Sequence, residues 1–216
     1  MNSASGDHIR DNFITEKWWQ GFLLLSGFSV IIYYLVWQRI LLTTVGDTLF
    51  TRTAIVSLFL MGLAVGAVMG GELSHRFADK LPRVFFILQI ILGSFGLLSY
   101  PLVRAVGTSL ASVSHSALPF LLFFLLMVPT LVMGSLLPLL VRYVHQRKGD
   151  VGGVLSRFNG FFLLGMALGT VLLVFILYFL FNLIVALVFA SMLNFGVAFL
   201  LHHKITMKPL FGKVLK

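Results

Sequence analysis

The chain has no cysteine. A disulfide framework, a thiol nucleophile and a thiolate metal site are therefore all excluded. Charge is scarce as well: charged residues make up 11% of the 216, and only seven of them are acidic, where soluble domains carry roughly 25%. Those seven acids are scattered among termini and loops and build no paired-carboxylate site. No strand followed by a glycine-rich loop occurs anywhere, so nothing cradles a nucleotide-like ligand. None of the six histidines joins a catalytic or metal-ligating constellation. His115 and His145 are isolated in loops, and His202–His203 offer no second pair of ligands. The chain reads as no enzyme, with no cofactor and no metal.

What is present is apolar surface. Hydrophobic residues are 59% of the chain, too many for an exterior covered with polar groups in water, so the exterior faces lipid. A helical span needs about 20 residues to cross a hydrocarbon core of about 30 Å. Six such spans leave too little chain for a soluble catalytic domain. The expected fold class is all-α, a polytopic membrane protein of six transmembrane helices. A soluble enzyme is excluded by composition.

The hydropathy pattern places spans at about 18–42, 53–71, 84–103, 117–141, 158–180 and 183–201. They form one transmembrane domain over 18–202, between a polar segment 1–17 and a basic tail 203–216. The first span opens on Trp18–Trp19, a pair suited to a membrane interface. It is too long for a signal-peptide core and no A-x-A-like site follows it, so it is expected to stay uncleaved. Arg104 to Ser116 and Arg142 to Arg157 read as polar loops. Pro119, Pro129 and Pro138 fall in span four, where neighbouring helices tolerate kinks. Residues 158–201 are almost wholly apolar and would measure about 66 Å as a single helix. Two spans with a tight turn at Asn182 fit better, since Asn tolerates left-handed geometry.

The net charge of +9 does not point to nucleic acid, because the basic residues sit between apolar runs. With both termini, loop two–three and loop four–five on one side, that side holds thirteen of the 16 Lys and Arg residues, and the other keeps Arg39, Arg52 and Arg104. The positive-inside rule then puts both termini in the cytoplasm of a bacterial-type inner membrane. Lys204, Lys208, Lys213 and Lys216, with His202–His203, are suited to anionic headgroups.

Gly62, Gly66 and Gly70 recur every four residues in span two, and Gly165 and Gly169 repeat the spacing in span five. Small residues at this interval let helix backbones approach, either as static packing or as a rocking interface. Arg39 either binds an anion, pairs with Asp47 across an outer vestibule, or snorkels to the outer interface. Gln89, Asn159 and Asn194 either line a solute path or hydrogen-bond between helices. Tyr33, Tyr34 and Trp37 complete the candidates for a solute or ion path. Glu72, His75, Arg76, Asp79 and Arg83 are expected to form a charge cluster fixing loop two–three on the inner face.

Several of these segments resemble one family. Gly27-Phe-Ser-Val-Ile-Ile-Tyr-Tyr-Leu-Val-Trp-Gln-Arg39, Gly46-Asp-Thr-Leu-Phe50, Met61-Gly-Leu-Ala-Val-Gly66 with Gly70–Gly71, and Pro129-Thr-Leu-Val-Met-Gly-Ser-Leu-Leu-Pro-Leu-Leu-Val-Arg142 are similar to the membrane part of the fused MFS/spermidine synthase-like proteins. Gly153 to Asn159 resembles the entry to that family's fifth span. The resemblance implies a six-helix bundle like half of a major facilitator fold. From these residues no counterpart of that family's synthase domain, and so no aminopropyl transfer, is expected. The family commonly carries Glu within the pair occupied by Tyr33–Tyr34, and the loop motif Gly71-Glu-Leu-Ser-His-Arg76 has His75 where facilitators usually have Asp. What the resemblance implies for function is a transport-related bundle handling a small solute such as a polyamine. A non-transporting membrane anchor, or a subunit for a separately encoded synthase-like or other protein, is the alternative. Expected partners are the lipid bilayer and either a second copy or a partner subunit.

Overall fold

In lipid no water satisfies exposed backbone N–H and C=O groups, so a spanning chain of this composition must pair them internally as helix. The computed structural model describes the backbone of residues 3–111, 118–148, 151–174 and 182–214, and the side chains of 17–78, 80–105, 123–144, 152–174 and 182–203. Six helices run through it: α1 (Ser3–Val45), α2 (Leu49–Arg76), α3 (Leu81–Ala111), α4 (Leu118–Lys148), α5 (Val151–Leu172) and α6 (Leu183–Val214). Each contains a stretch long and apolar enough to cross a membrane. The all-α, six-span class expected from composition is what the structure shows.

The helices are longer than the apolar runs. The segment before Trp18 continues α1 back to Ser3, and the tail after His203 continues α6 to Val214. Arg104 to Ala111, expected as loop, extends α3; residues 112–117 lie outside the description. Most of the polar stretch Arg142 to Arg157 is helical as well, since α4 runs to Lys148 and α5 starts at Val151, while residues 149–150 lie outside the description. Hydropathy marks where lipid begins, but helical hydrogen bonding does not stop there, and α6 continues even past Pro209 in its polar tail. Pro101, Pro129 and Pro138 lie inside helices. Asn182 stands outside helix and its carbonyl accepts from Val185 (3.0 Å) and Ala186 (3.3 Å), opening α6. The rest of the expected five–six turn, 175–181, is outside the described residues.

α2 shows how packing works here. Its buried residues form one narrow seam of Thr51, Ile55, Phe59, Gly62, Gly66, Gly70 and Ser74. The large side chains Leu60, Met61, Val65, Val68 and Met69 point outward. Small residues inside and large ones outside invert the pattern of a soluble helix, because lipid is as apolar as leucine and close backbone approach is what holds the helices.

The principal packing pairs are α2 with α4, α1 with α5, α3 with α6, α1 with α6, and α3 with α4; α4 with α5, α1 with α2, and α1 with α4 touch less. Exchanging α1–α3 with α4–α6 returns the same set. The correspondence reaches single residues. A Cβ on Gly66 would meet the Leu131 carbonyl, one on Gly134 the Leu63 carbonyl, and one on Gly70 the Ser135 backbone. In the other half, Gly165 meets the Leu24 carbonyl, Gly27 the Phe162 carbonyl, and Gly169 the Phe28 backbone. One register relates the two: 63, 66 and 70 of α2 match 162, 165 and 169 of α5, while 131, 134 and 135 of α4 match 24, 27 and 28 of α1. Three spans per half is an odd number, so the halves cross the membrane in opposite senses. The bundle is an inverted repeat.

Candidate functional site

Ser26, Ser29 and Tyr33 lie on α1 at intervals of three and four, which puts them on one helix face. Ser191 and Asn194 share a face of α6, and Gln89 sits on α3. Packing brings all six together at 1% exposure or less. Asn194 Nδ2 donates to the Tyr33 hydroxyl (3.0 Å), which donates to Ser191 Oγ (3.1 Å), which donates to the Leu187 carbonyl (2.8 Å). Ser29 Oγ donates to Asn194 Oδ1 (2.9 Å), and Gln89 Nε2 to Ser26 Oγ (2.6 Å). Only Gln89 Oε1 in this group lacks a partner.

Two of the sequence candidates for a solute path, Gln89 and Asn194, thus tie α1, α3 and α6 together. Tyr33 belongs to the same tie, and Gly96 leaves the space that its hydroxyl and Ser191 occupy. The three serines are inconspicuous in the sequence; the available signal is their helical spacing, Ser26 and Ser29 seven and four positions before Tyr33 and Ser191 three before Asn194. Trp37 stacks on Tyr33 (5.2 Å between centroids, 13°) and presents its face to the Phe95 ring (5.8 Å, 85°), leaving its buried Nε1 without a partner. Tyr34 points elsewhere, against Phe59 (4.5 Å). Asn159 is exposed on α5 and joins none of these groups.

At the end of the bundle away from the termini, Arg39 and Asp47 line one cleft of about 480 Å³. Of the alternatives open for Arg39, the pair with Asp47 is not formed. Arg52, one turn into α2, takes both carboxylate oxygens, Nε to Oδ1 at 2.6 Å and Nη2 to Oδ2 at 2.7 Å. Geometry decides this: the bend at Gly46, whose φ is +111°, turns Asp47 toward the helix it precedes, and only a glycine adopts that backbone freely. The Arg52 hydrogen bonds hold the Asp47 carboxyl below the usual carboxylate range, with Arg39 adding a weaker attraction. Asn182 and Gln38 complete the polar lining.

The opposite end, which bears the termini, carries the charges expected as a cluster at loop two–three, in a different arrangement. Arg76 Nε pairs with Glu72 (2.8 Å) along α2. His75 does not join loop two–three; its Nε2 lies 3.0 Å from Nη1 of Arg142 on α4. A guanidinium only donates, so the ring nitrogen is the acceptor in that contact. Arg83 is exposed, and the side chain of Asp79 is outside the described residues. Trp19 is buried among Phe22, Phe85 and Tyr143, so of the tryptophan pair only Trp18 faces outward.

Among the described residues no three His, Asp or Glu side chains gather as a metal site. The glycine stripes occupy the α2–α4 and α1–α5 interfaces and are packing surfaces as they stand. In comparison with known proteins, no family model, no curated protein and no solved structure matches this chain.

Proposed function

We propose that this chain is a transport-related membrane bundle of the inner membrane, equivalent to half of a facilitator-type transporter, that handles a small solute such as a polyamine. The observation that carries the reading is the inverted repeat of three helices, with glycine-on-carbonyl contacts repeated in one register in both halves. Bundles built from inverted repeats commonly bind solute where repeats or paired units meet. Each of the six polar side chains at the centre of this bundle is already hydrogen-bonded within it, with Gln89 Oε1 the one polar atom of the group left over. A solute path therefore belongs at a surface shared with a second copy or a partner subunit. Reconstitution of the purified full chain into liposomes, with putrescine, spermidine and other small metabolites supplied in turn, tests this. Flux above protein-free vesicles is expected; none in any assembled state sinks the proposal.

A second reading is a non-transporting anchor or subunit that holds a separately encoded synthase-like or other protein at the inner face. The exposed basic and histidine side chains at the termini-bearing end, Arg76, Lys80, Arg83 and His203, favour it. Purification in mild detergent followed by mass spectrometry separates the two. A stoichiometric soluble partner supports anchoring, and its repeated absence counts against it.

A further inference from the structure

The cleft beside Arg39 has a wall as informative as its charges. Beside Arg39, Asp47, Arg52 and Asn182 it is lined by Leu35 of α1, Leu173 just after α5, and Leu183 at the start of α6. Its charges do not cancel. Both oxygens of Asp47 are occupied by Arg52, and Arg39 has no carboxylate within ion-pair distance among the described residues. One exposed guanidinium is left over.

Depth sets the kind of ligand. Lys17 and Arg39 lie on one continuous helix and are separated by about 33 Å at 1.5 Å per residue. That spacing is close to a hydrocarbon core of about 30 Å. With Lys17 and the outward-facing Trp18 at one interface, Arg39 stands at the other, level with the phosphates of the far leaflet. A site there with a cationic rim and an apolar floor is complementary to a molecule that has an anionic head and a hydrocarbon tail. Guanidinium groups suit phosphate because their donors form a planar fork.

We propose that this cleft holds one anionic phospholipid, its phosphate on Arg39 and an acyl chain along Leu35, Leu173 and Leu183. Asp47 limits the site to a single net positive charge. The proposal stands independently of any transport or anchoring role.

The test uses the purified full chain, stripped of lipid in a nonionic detergent and titrated under native mass spectrometry. Phosphatidylglycerol, phosphatidylcholine and glycerol phosphate are added separately. Expected is one saturable phosphatidylglycerol per chain, bound about tenfold or more tightly than phosphatidylcholine, with that preference lost in Arg39→Gln and largely kept in Arg39→Lys. Equal binding of the two lipids by the unaltered protein overturns the proposal without reference to any variant. So does glycerol phosphate displacing the lipid at equal concentration, which marks a site for a soluble anion. An Arg39→Gln protein that keeps the full preference also overturns it.

Discussion

Gly66 of α2 lies directly against the backbone carbonyl of Leu131 on α4, with no room for a Cβ between them. Backbone cannot rotate out of the way as a side chain can, so this contact sets the distance between the two helices. The same relationship holds between Gly165 and Leu24 in the other half. Two interfaces related by the inverted repeat therefore rest on the same device.

Gly66→Ala and Gly165→Ala are each expected to destabilise the bundle by about 1–3 kcal/mol, the usual range for overpacking. Gly160 provides the control, since a Cβ there meets nothing within 4 Å. Gly160→Ala should be neutral or stabilising by up to about 1 kcal/mol, through helix preference alone. Unfolding in graded SDS measures all three. Equal effects at positions 66 and 160 would refute the packing role.

The hydrogen-bonded tie predicts an unequal response among its amides. Asn194 bonds both Ser29 and Tyr33, so Asn194→Leu removes two interhelical contacts, each worth about 0.6 kcal/mol and at most about 1.7 kcal/mol in a membrane. Gln89 makes one and leaves Oε1 unpartnered. Replacing a half-satisfied buried amide by Leu costs little, so Gln89→Leu should stay within about 0.5 kcal/mol of the unaltered protein. The same unfolding assay ranks them, and a larger loss for Gln89→Leu than for Asn194→Leu reverses the assignment.

These two cases show what was legible in the sequence. Glycines four residues apart identify a close helix contact, since nothing but the spacing is needed to put them on one face. Which helix they contact is not local information: that Gly62 to Gly70 face α4 and not a second copy comes only from the packed bundle. Gln89 and Asn194 stand out in the sequence as amides in apolar runs, but not their partners: Ser26 for Gln89, Ser29 and Tyr33 for Asn194 come only from the packed bundle. The Arg39–Asp47 pair failed for a different reason. Sequence distance favoured no partner over another, and the turn at Gly46 gave Asp47 to Arg52. Helix ends were legible least, because hydropathy reports lipid contact and not backbone pairing.

Asp47 makes the charge of the cleft beside Arg39 depend on pH in a definite direction. Its carboxyl is held below the usual range by Arg52, so the ion pair is intact above the unfolded carboxylate pKa and is lost as pH falls through the lowered value. Both partners are more than half exposed, so stability should respond little. Phosphatidylglycerol binding should respond more. Asp47→Asn frees the Arg52 guanidinium and is expected to tighten binding several-fold at neutral pH, and the unaltered protein should approach that affinity only in strong acid. Native mass spectrometry should show that difference persisting across pH 4 to 8, where the Asp47 carboxyl stays ionised; no difference between Asp47→Asn and the unaltered protein removes Arg52 from the site.

The absence of cysteine allows the orientation to be read with single introduced thiols. Asp47 precedes α2 and Arg76 ends it, both exposed, at opposite ends of one 28-residue helix that measures about 42 Å. The distribution of lysine and arginine expects position 76 on the cytoplasmic side. In intact cells a membrane-impermeant maleimide should label Asp47→Cys and spare Arg76→Cys, and after permeabilisation it should label both. The reverse pattern inverts the topology and, with it, the leaflet that supplies the lipid for Arg39. Labelling of both in intact cells instead means that α2 does not span the membrane, which its outward-facing leucine, valine and methionine side chains exclude on energetic grounds.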